Sequence, residues 1–301
     1  MKLQQPSATA GLVARGVALV SREPGLAQLV SPLSAEASAW CIEAASPHGR
    51  QLVRALDRRW FRSAARLLER LALPGITLHY VLRKRYLEDV ARRSIREGCR
   101  QVVVLGAGFD ALALALHLEF PEVLFCEIDQ PATQRVKRRA LEGRWELPGK
   151  KLHFLPADLS RQMLEACLAG CPDFDPAERT LFIAEGLLMY LTPDEVERLF
   201  GSVCQCGGPG SRFAFTFMER QPDGRPGFRA ASRGVGLWLR LQREPFRWGI
   251  AREELPDYLA ASGLTLRELA GSETLRDRYL SGACRAMALP EGEGICMAER
   301  T

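Results

Sequence analysis

Apolar positions change their rhythm once along this chain, near residue 100. Before it, Leu52, Leu56, Trp60, Ala64, Leu67, Leu68 and Leu71 recur at steps of three and four, a spacing that puts them on one helical face and predicts that this face is buried. Arg54, Arg58, Arg59, Arg62, Arg66 and Arg70 fill the other face. They could form a surface for an anionic ligand, but a solvated helix face accounts for them without a function. Pro74-Gly75 ends that helix, and a second helical pattern runs from about Leu78 to Arg96, where Gly98 stops it.

From Gln101 onward, short apolar runs alternate with helical patterns, which is the texture of a parallel sheet wrapped by helices. Val102–Leu105, Val123–Ile128, Leu152–Leu155, Leu181–Ala184 and Phe213–Phe217 read as strands, with Leu264–Leu269 and Gly294–Ala298 as weaker late candidates. The glycine-rich segments Gly201–Gly210 and Gln221–Gly227 read as loops. The fold class expected is therefore α/β: a Rossmann-like, seven-stranded, mostly parallel sheet with helices on both faces and an N-terminal helical annex. The annex would span residues 1–97 and act as a lid, and the core would span 98–301.

Composition narrows the setting. Net charge is only +5 and reads as spread over the length, too mild to imply nucleic acid. Cysteine spacings such as Cys167/Cys171 and Cys204/Cys206 match no zinc pattern, and no signal peptide is apparent, so a reducing cytoplasm is expected. No apolar stretch approaches the ~18 residues of a membrane helix, and no membrane association is expected. His48, His79, His117 and His153 are scattered over different elements, so no metal site is expected and each histidine reads as structural.

The first strand runs into Gly106-Ala107-Gly108, with a helical pattern following Asp110. Glycines at a strand-to-helix turn let the backbone bend sharply and approach a ligand closely, although a tight turn without ligand uses them too. About twenty residues later the next strand ends in Glu127-Ile128-Asp129, where a carboxylate can accept hydrogen bonds from ribose hydroxyls. Asp110 stands beside the helix N-terminus that a pyrophosphate would need, and Asp129, Asp158 and Glu185 follow other strand ends on the same edge. Such an acidic rim disfavours a dinucleotide and welcomes a cationic sulfonium. Taken singly, Asp110 and Asp158 could equally be helix caps.

These segments resemble the leucine carboxyl methyltransferase family, class I S-adenosylmethionine-dependent enzymes, in its bacterial branch. Gln101-Val-Val-Val-Leu-Gly-Ala-Gly-Phe-Asp110 is similar to the family's first motif, and Phe125-Cys-Glu-Ile-Asp-Gln-Pro131 with Lys137 to its second. Pro156-Ala-Asp-Leu-Ser160 resembles its Asp-Leu element, Ala184-Glu-Gly-Leu-Leu-Met-Tyr-Leu-Thr-Pro193 its Glu-Gly…Tyr-x-Thr-Pro signature, and Glu244-Pro-Phe-Arg-Trp-Gly-Ile250 a late segment.

The resemblance implies that S-adenosyl-L-methionine is the cofactor. Arg83, in a helix with Arg85 as its rival, would pair with the cofactor's carboxylate, and Gly106 and Gly108 would give it backbone room. Asp129 would hold the ribose, Asp158 and Leu159 would flank the adenine, and Glu185 would face the methionine ammonium. An acceptor carboxylate is ionised at neutral pH, so no catalytic base is nominated. Tyr190 either orients the acceptor or simply packs. Arg225, Arg229 or Arg233 would clamp the substrate.

The acceptor expected is a small-molecule carboxylic acid, with a protein C-terminus as the alternative. Where protein-methylating members carry a Lys-Arg pair near the N-terminus, this chain has Ala14-Arg15, which weakens that alternative. A nicotinamide-dependent oxidoreductase on the same turn and a non-catalytic nucleoside-binding module are further readings. Asp110 argues against the first, and the intact set Arg83, Gly106, Asp129 and Glu185 against the second. A DNA or RNA acceptor is not expected, because Ala184-Glu185-Gly186-Leu187 stands where the amino-methylating nucleic-acid enzymes carry an Asp/Asn-Pro-Pro-aromatic tetrad.

Overall fold

A computed structural model describes residues 5–144, 151–229 and 231–301, without the side chain of Arg233. Among the described residues, five α-helices precede the first strand: α1 (Ala8–Val20), α2 (Pro32–Ala45), α3 (Gly49–Leu56), α4 (Arg59–Ala72) and α5 (Ile76–Arg96). Strands and helices then alternate as β1 (Gln101–Leu105), α6 (Leu112–Glu119), β2 (Leu124–Asp129), α7 (Pro131–Leu141), β3 (Leu152–Pro156), α8 (Leu164–Leu168), β4 (Thr180–Ala184) and α9 (Pro193–Cys206). The chain finishes with β5 (Arg212–Met218), α10 (Arg233–Gln242), α11 (Leu255–Ala261), β6 (Leu264–Ala270), α12 (Ser272–Tyr279) and β7 (Glu293–Arg300).

The seven strands of the described residues join one sheet in the order β3-β2-β1-β4-β5-β7-β6. The first five are parallel, while β7 runs antiparallel to both β5 and β6. Strand residues alternate between two apolar layers: Val103 and Leu105 of β1 pack with α8, α9 and α11, whereas Val102 and Val104 pack with α5, α6 and α12. Burial on both faces explains why these strands read as continuous apolar runs rather than alternating ones. Strand order reverses between β1 and β4, and such a switch point opens a crevice at the carboxyl ends of the strands.

Two expectations about local structure fail. The segment expected as a loop from Gly201 is helical as far as Cys206. Thr192 and Glu195 form a capping box at the start of α9, and Val196, Leu199, Phe200, Val203 and Cys206 are buried along it, which outweighs the ~1 kcal/mol that Gly201 costs a helix. The apolar stripe of residues 52–71 is cut at Asp57-Arg58 into two helices, and its α4 portion does not face the core: Trp60, Leu67, Leu68 and Leu71 are exposed. No helix among the described residues is long and apolar enough to cross a membrane.

Candidate active site

At the switch point, the residues singled out from the strand ends meet around one cavity. Arg83, Gly106, Gly108, Asp110, Asp129, Asp158, Leu159, Glu185 and Tyr190 all line it. Gly106 and Gly108 have φ of 66° and 54°, the left-handed conformation that favours glycine, so the turn cannot be made by ordinary residues without strain. A Cβ on Gly106 would also meet Leu187 Cδ1 at 3.0 Å. The Gly108 N–H donates to Asp129 Oδ2, and the Gln130 N–H to Asp129 Oδ1, so the carboxylate at the end of β2 is aimed at the turn. Burial pushes the Asp129 carboxyl up to about 6, against the downward pull of those two N–H groups.

The two candidate caps resolve differently from a simple helix cap. Ala111, not Asp110, takes the cap position of α6; Asp110 Oδ1 accepts from the Ala111 N–H, and its Oδ2 lies 2.9 Å from Lys84 Nζ. Burial works upward on the Asp110 carboxyl, but Lys84 holds it below its ordinary value. Asp158 sits in the loop before α8, where its Oδ1 accepts from the backbone N–H and the hydroxyl of Ser160.

Arg83 is more than a surface arginine. Its Nε donates to Glu185 Oε1 at 2.9 Å and its Nη1 to Glu293 Oε1 at 2.7 Å, and the guanidinium is buried. Glu293 Oε2 lies 2.6 Å from His79 Nε2. Lys84 adds a second cation, 3.1 Å from Glu185 Oε2, so that Glu293, Arg83, Glu185, Lys84 and Asp110 form one connected ionic chain along the cavity wall, with His79 in contact with Glu293 at its end. Burial works upward on Glu293, yet Arg83 and His79 bring it down to about 2. The rival Arg85 turns away: its Nη1 donates to the Gln28 carbonyl on another surface.

Sequence reasoning missed Lys84, Glu244 and Glu293 as wall residues. Lys84 stood beside Arg83 in an already noted helix, but Glu293 starts the antiparallel strand β7, and nothing local ties it to Arg83. Glu244 pins the N-terminus of α1: its carboxylate accepts from the backbone N–H groups of Ala8 and Thr9 at 3.1 and 3.0 Å and from the Thr9 hydroxyl. That places Ala10, Val13 and Ala14 against the cavity, while the neighbouring Arg15 is exposed.

Of the three arginines expected as a substrate clamp, Arg225 and Arg229 do not line the cavity. Arg225 is exposed in its loop, Arg229 pairs with Glu219 and Glu291 at the surface, and the Arg233 side chain lies outside the described residues. The same stretch contributes aromatic rings instead. Phe228 and Phe246 line the cavity with Tyr80 and Tyr190, ring centroids of Tyr190 and Phe246 lying 5.6 Å apart. Tyr190 Oη is 3.4 Å from Thr9 Oγ1, and burial pushes both tyrosine phenols well above their ordinary value. Lys137 is a structural ion: it pairs with the buried Glu127 behind β2. No group of three or more His, Cys, Asp or Glu side chains is arranged to hold a metal among the described residues.

The sequence model described as leucine carboxyl methyltransferase matches residues 21–204, more than half of the chain. This chain belongs to that family. A protein of Mycobacteroides abscessus, provisionally named an S-adenosyl-L-methionine-dependent methyltransferase, is 34% identical over 205 residues, which cover 62% of this chain and 67% of that protein. A Mycobacterium avium protein with the same provisional name is 34% identical over 167 residues, or 56% of this chain. The match spans only 50% of that relative's length. Among solved structures, a provisionally described methyltransferase of Thermobifida fusca shares the family member's fold with a TM-score of 0.57, at 18% identity over 87% of this chain and 94% of that one. A DUF574-family protein of Streptomyces avermitilis aligns with a TM-score of 0.55 at 15% identity, covering 81% and 91% of the two chains.

Proposed function

We propose that this leucine carboxyl methyltransferase family member transfers the methyl group of S-adenosyl-L-methionine to a carboxylate oxygen of a small organic acid, forming a methyl ester. Family membership and the names of the relatives support the methyl donor. So does the chemistry of the wall. A cavity in which Asp110, Asp129, Asp158, Glu185, Glu244 and Glu293 outnumber Arg83 and Lys84 suits a cationic ligand and repels a pyrophosphate. Asp129 would hold the ribose, Asp158 and Leu159 the adenine, Glu185 the ammonium, and Arg83 with Lys84 the carboxylate of the cofactor's methionine portion. When bound, the cofactor supplies an electrophilic methyl on a cationic sulfur, whose charge also attracts an anionic acceptor.

The observation that carries the acceptor assignment is the aromatic end of the cavity. Tyr80, Tyr190, Phe228 and Phe246 make that part of the wall apolar, and burial keeps the Tyr190 phenol protonated, so its O–H is a donor and not a base. A protonated donor orients an acceptor that is already anionic. The phenol itself takes no proton from an alcohol or amine near neutral pH. Catalysis on a carboxylate then consists of positioning and water exclusion, effects worth several kcal/mol when the reacting atoms are held in line. The family description favours a protein C-terminus as a second reading. The α1 roof pinned by Glu244 favours the smaller acid.

Titration calorimetry tests the donor: S-adenosylhomocysteine is expected to bind and NAD not to, and the reverse result overturns the reading. Mass spectrometry on candidate acids tests the acceptor. The expected product gains one methyl and loses it in mild base, as an ester does; a base-stable methyl would assign an ether or amine product instead.

A further inference from the structure

Helix α4 is amphipathic, but it is mounted inside out. Trp60, Leu67, Leu68 and Leu71 share one face by helical spacing and are 64%, 58%, 68% and 70% exposed. The ionic face points inward. Arg66 pairs with Glu23 and Glu69, Arg62 donates to the carbonyls of Leu56 and Asp57, and only Phe61 and Ala65 reach the neighbouring apolar cluster. A soluble helix normally turns its apolar stripe to the core, and a run of large exposed side chains on one face marks a surface that contacts something.

The charge around this face is equally one-sided. Between Arg50 and Leu71 the chain has seven arginines against Asp57 and Glu69, a net +5 that equals the charge of the whole protein. This stretch is strongly basic, as is the stretch from Arg135 to Lys151. Arg50, Arg54, Arg58, Arg59 and Arg70 are all exposed. Leucines and a tryptophan flanked by solvated arginines are the ingredients of a helix that lies in the headgroup layer of a bilayer, its apolar face in the acyl boundary and its guanidinium groups on anionic phosphates.

We infer that α4 is a docking helix for an anionic lipid surface. A second copy of this chain fits the face less well: a symmetric dimer across α4 would set each arginine cluster against its own likeness and repel. A bilayer carrying anionic lipid is complementary in both apolarity and charge. The carbonyl of Ala72, the last residue of α4, accepts from the Ser232 N–H at 3.0 Å, close in sequence to the wall residue Phe228.

Flotation of the full chain with phosphatidylcholine vesicles, with and without one third phosphatidylglycerol, tests the inference. Binding is expected with the anionic vesicles, at least about tenfold weaker with neutral ones, and lost at about 1 M salt, where screening acts within ~3 Å. The triple variant Leu67→Ser/Leu68→Ser/Leu71→Ser and the triple variant Arg54→Gln/Arg59→Gln/Arg70→Gln are each expected to lose at least about tenfold in vesicle binding. All six positions are exposed, so thermal melting and S-adenosylhomocysteine affinity should stay unchanged. Absence of binding to anionic vesicles, or equal binding to neutral ones, overturns the inference. A solution dimer that the serine variant converts to monomer in sedimentation velocity overturns it as well, and assigns the face to a second copy.

Discussion

Glu244 and Thr9 are 235 positions apart in the chain, yet one carboxylate oxygen of Glu244 accepts both the backbone N–H of Thr9, at 3.0 Å, and its hydroxyl. This buried carboxylate satisfies donors that the first turn of α1 would otherwise leave open, and it favours the positive end of the helix dipole. Replacing it with alanine is expected to release α1 from the cavity. Limited proteolysis should then cut within the first twenty residues faster than in the parent, and S-adenosylhomocysteine affinity should fall several-fold. An unchanged cleavage pattern would show that other contacts hold α1.

Asp129 gives a pH dependence with a definite sign. Its carboxyl is raised to about 6 by burial, and in the ribose-holding role proposed for it the ionised form is the stronger acceptor. Cofactor affinity should therefore fall as pH drops through about 6, roughly tenfold per further unit, and Asp129→Asn should bind weakly and without that dependence. Stability runs the other way. A raised folded-state value means that the charged carboxylate opposes folding above pH ~6, so Asp129→Asn should melt no lower than the parent at pH 8. A lower melting temperature would make Asp129 a structural anchor.

Arg83 neutralises two acidic residues, and Arg83→Ala would leave the fully buried Glu293 with His79 as its remaining partner. Breaking a buried pair on one side costs about 3–5 kcal/mol, so the melting temperature should drop by at least ~6 °C. Adding Glu293→Gln should recover part of that loss without restoring S-adenosylhomocysteine binding. Recovery of binding together with stability would remove Arg83 from the cofactor site.

Thr192 belongs to the most distinctive motif of the chain, but its side chain accepts the Glu195 N–H as a helix cap. Thr192→Ala should cost about 1 kcal/mol, or some 2–4 °C in melting, and leave cofactor affinity unchanged. A selective loss of affinity would give the motif's threonine a direct role in binding.

Much of the site was legible because it is built from strand ends. A glycine turn after β1, Asp129 ending β2, Asp158 following β3 and Glu185 following β4 are each marked by a local pattern, and a parallel sheet brings successive strand ends to one edge. Arg83 was legible only through its motif. Its partner Glu293 was not, since a carboxylate at the start of a late antiparallel strand looks like any surface acid until β7 inserts beside β5. Placement after β5 located a stretch that borders the cavity, but Phe228 and Phe246 line it, whereas Arg225 and Arg229 do not.

The sequence by itself determined the seven strands, the glycine turn and its acidic rim, because backbone periodicity, glycine conformation and strand-end position are short-range properties. Tertiary structure alone decided which charges neutralise one another and which way α4 faces. Periodicity establishes that Trp60, Leu67, Leu68 and Leu71 share a side of a helix, but the direction of that side depends on a rival set of contacts, the ion pairs of Arg66 with Glu23 and Glu69, that form only when distant segments meet.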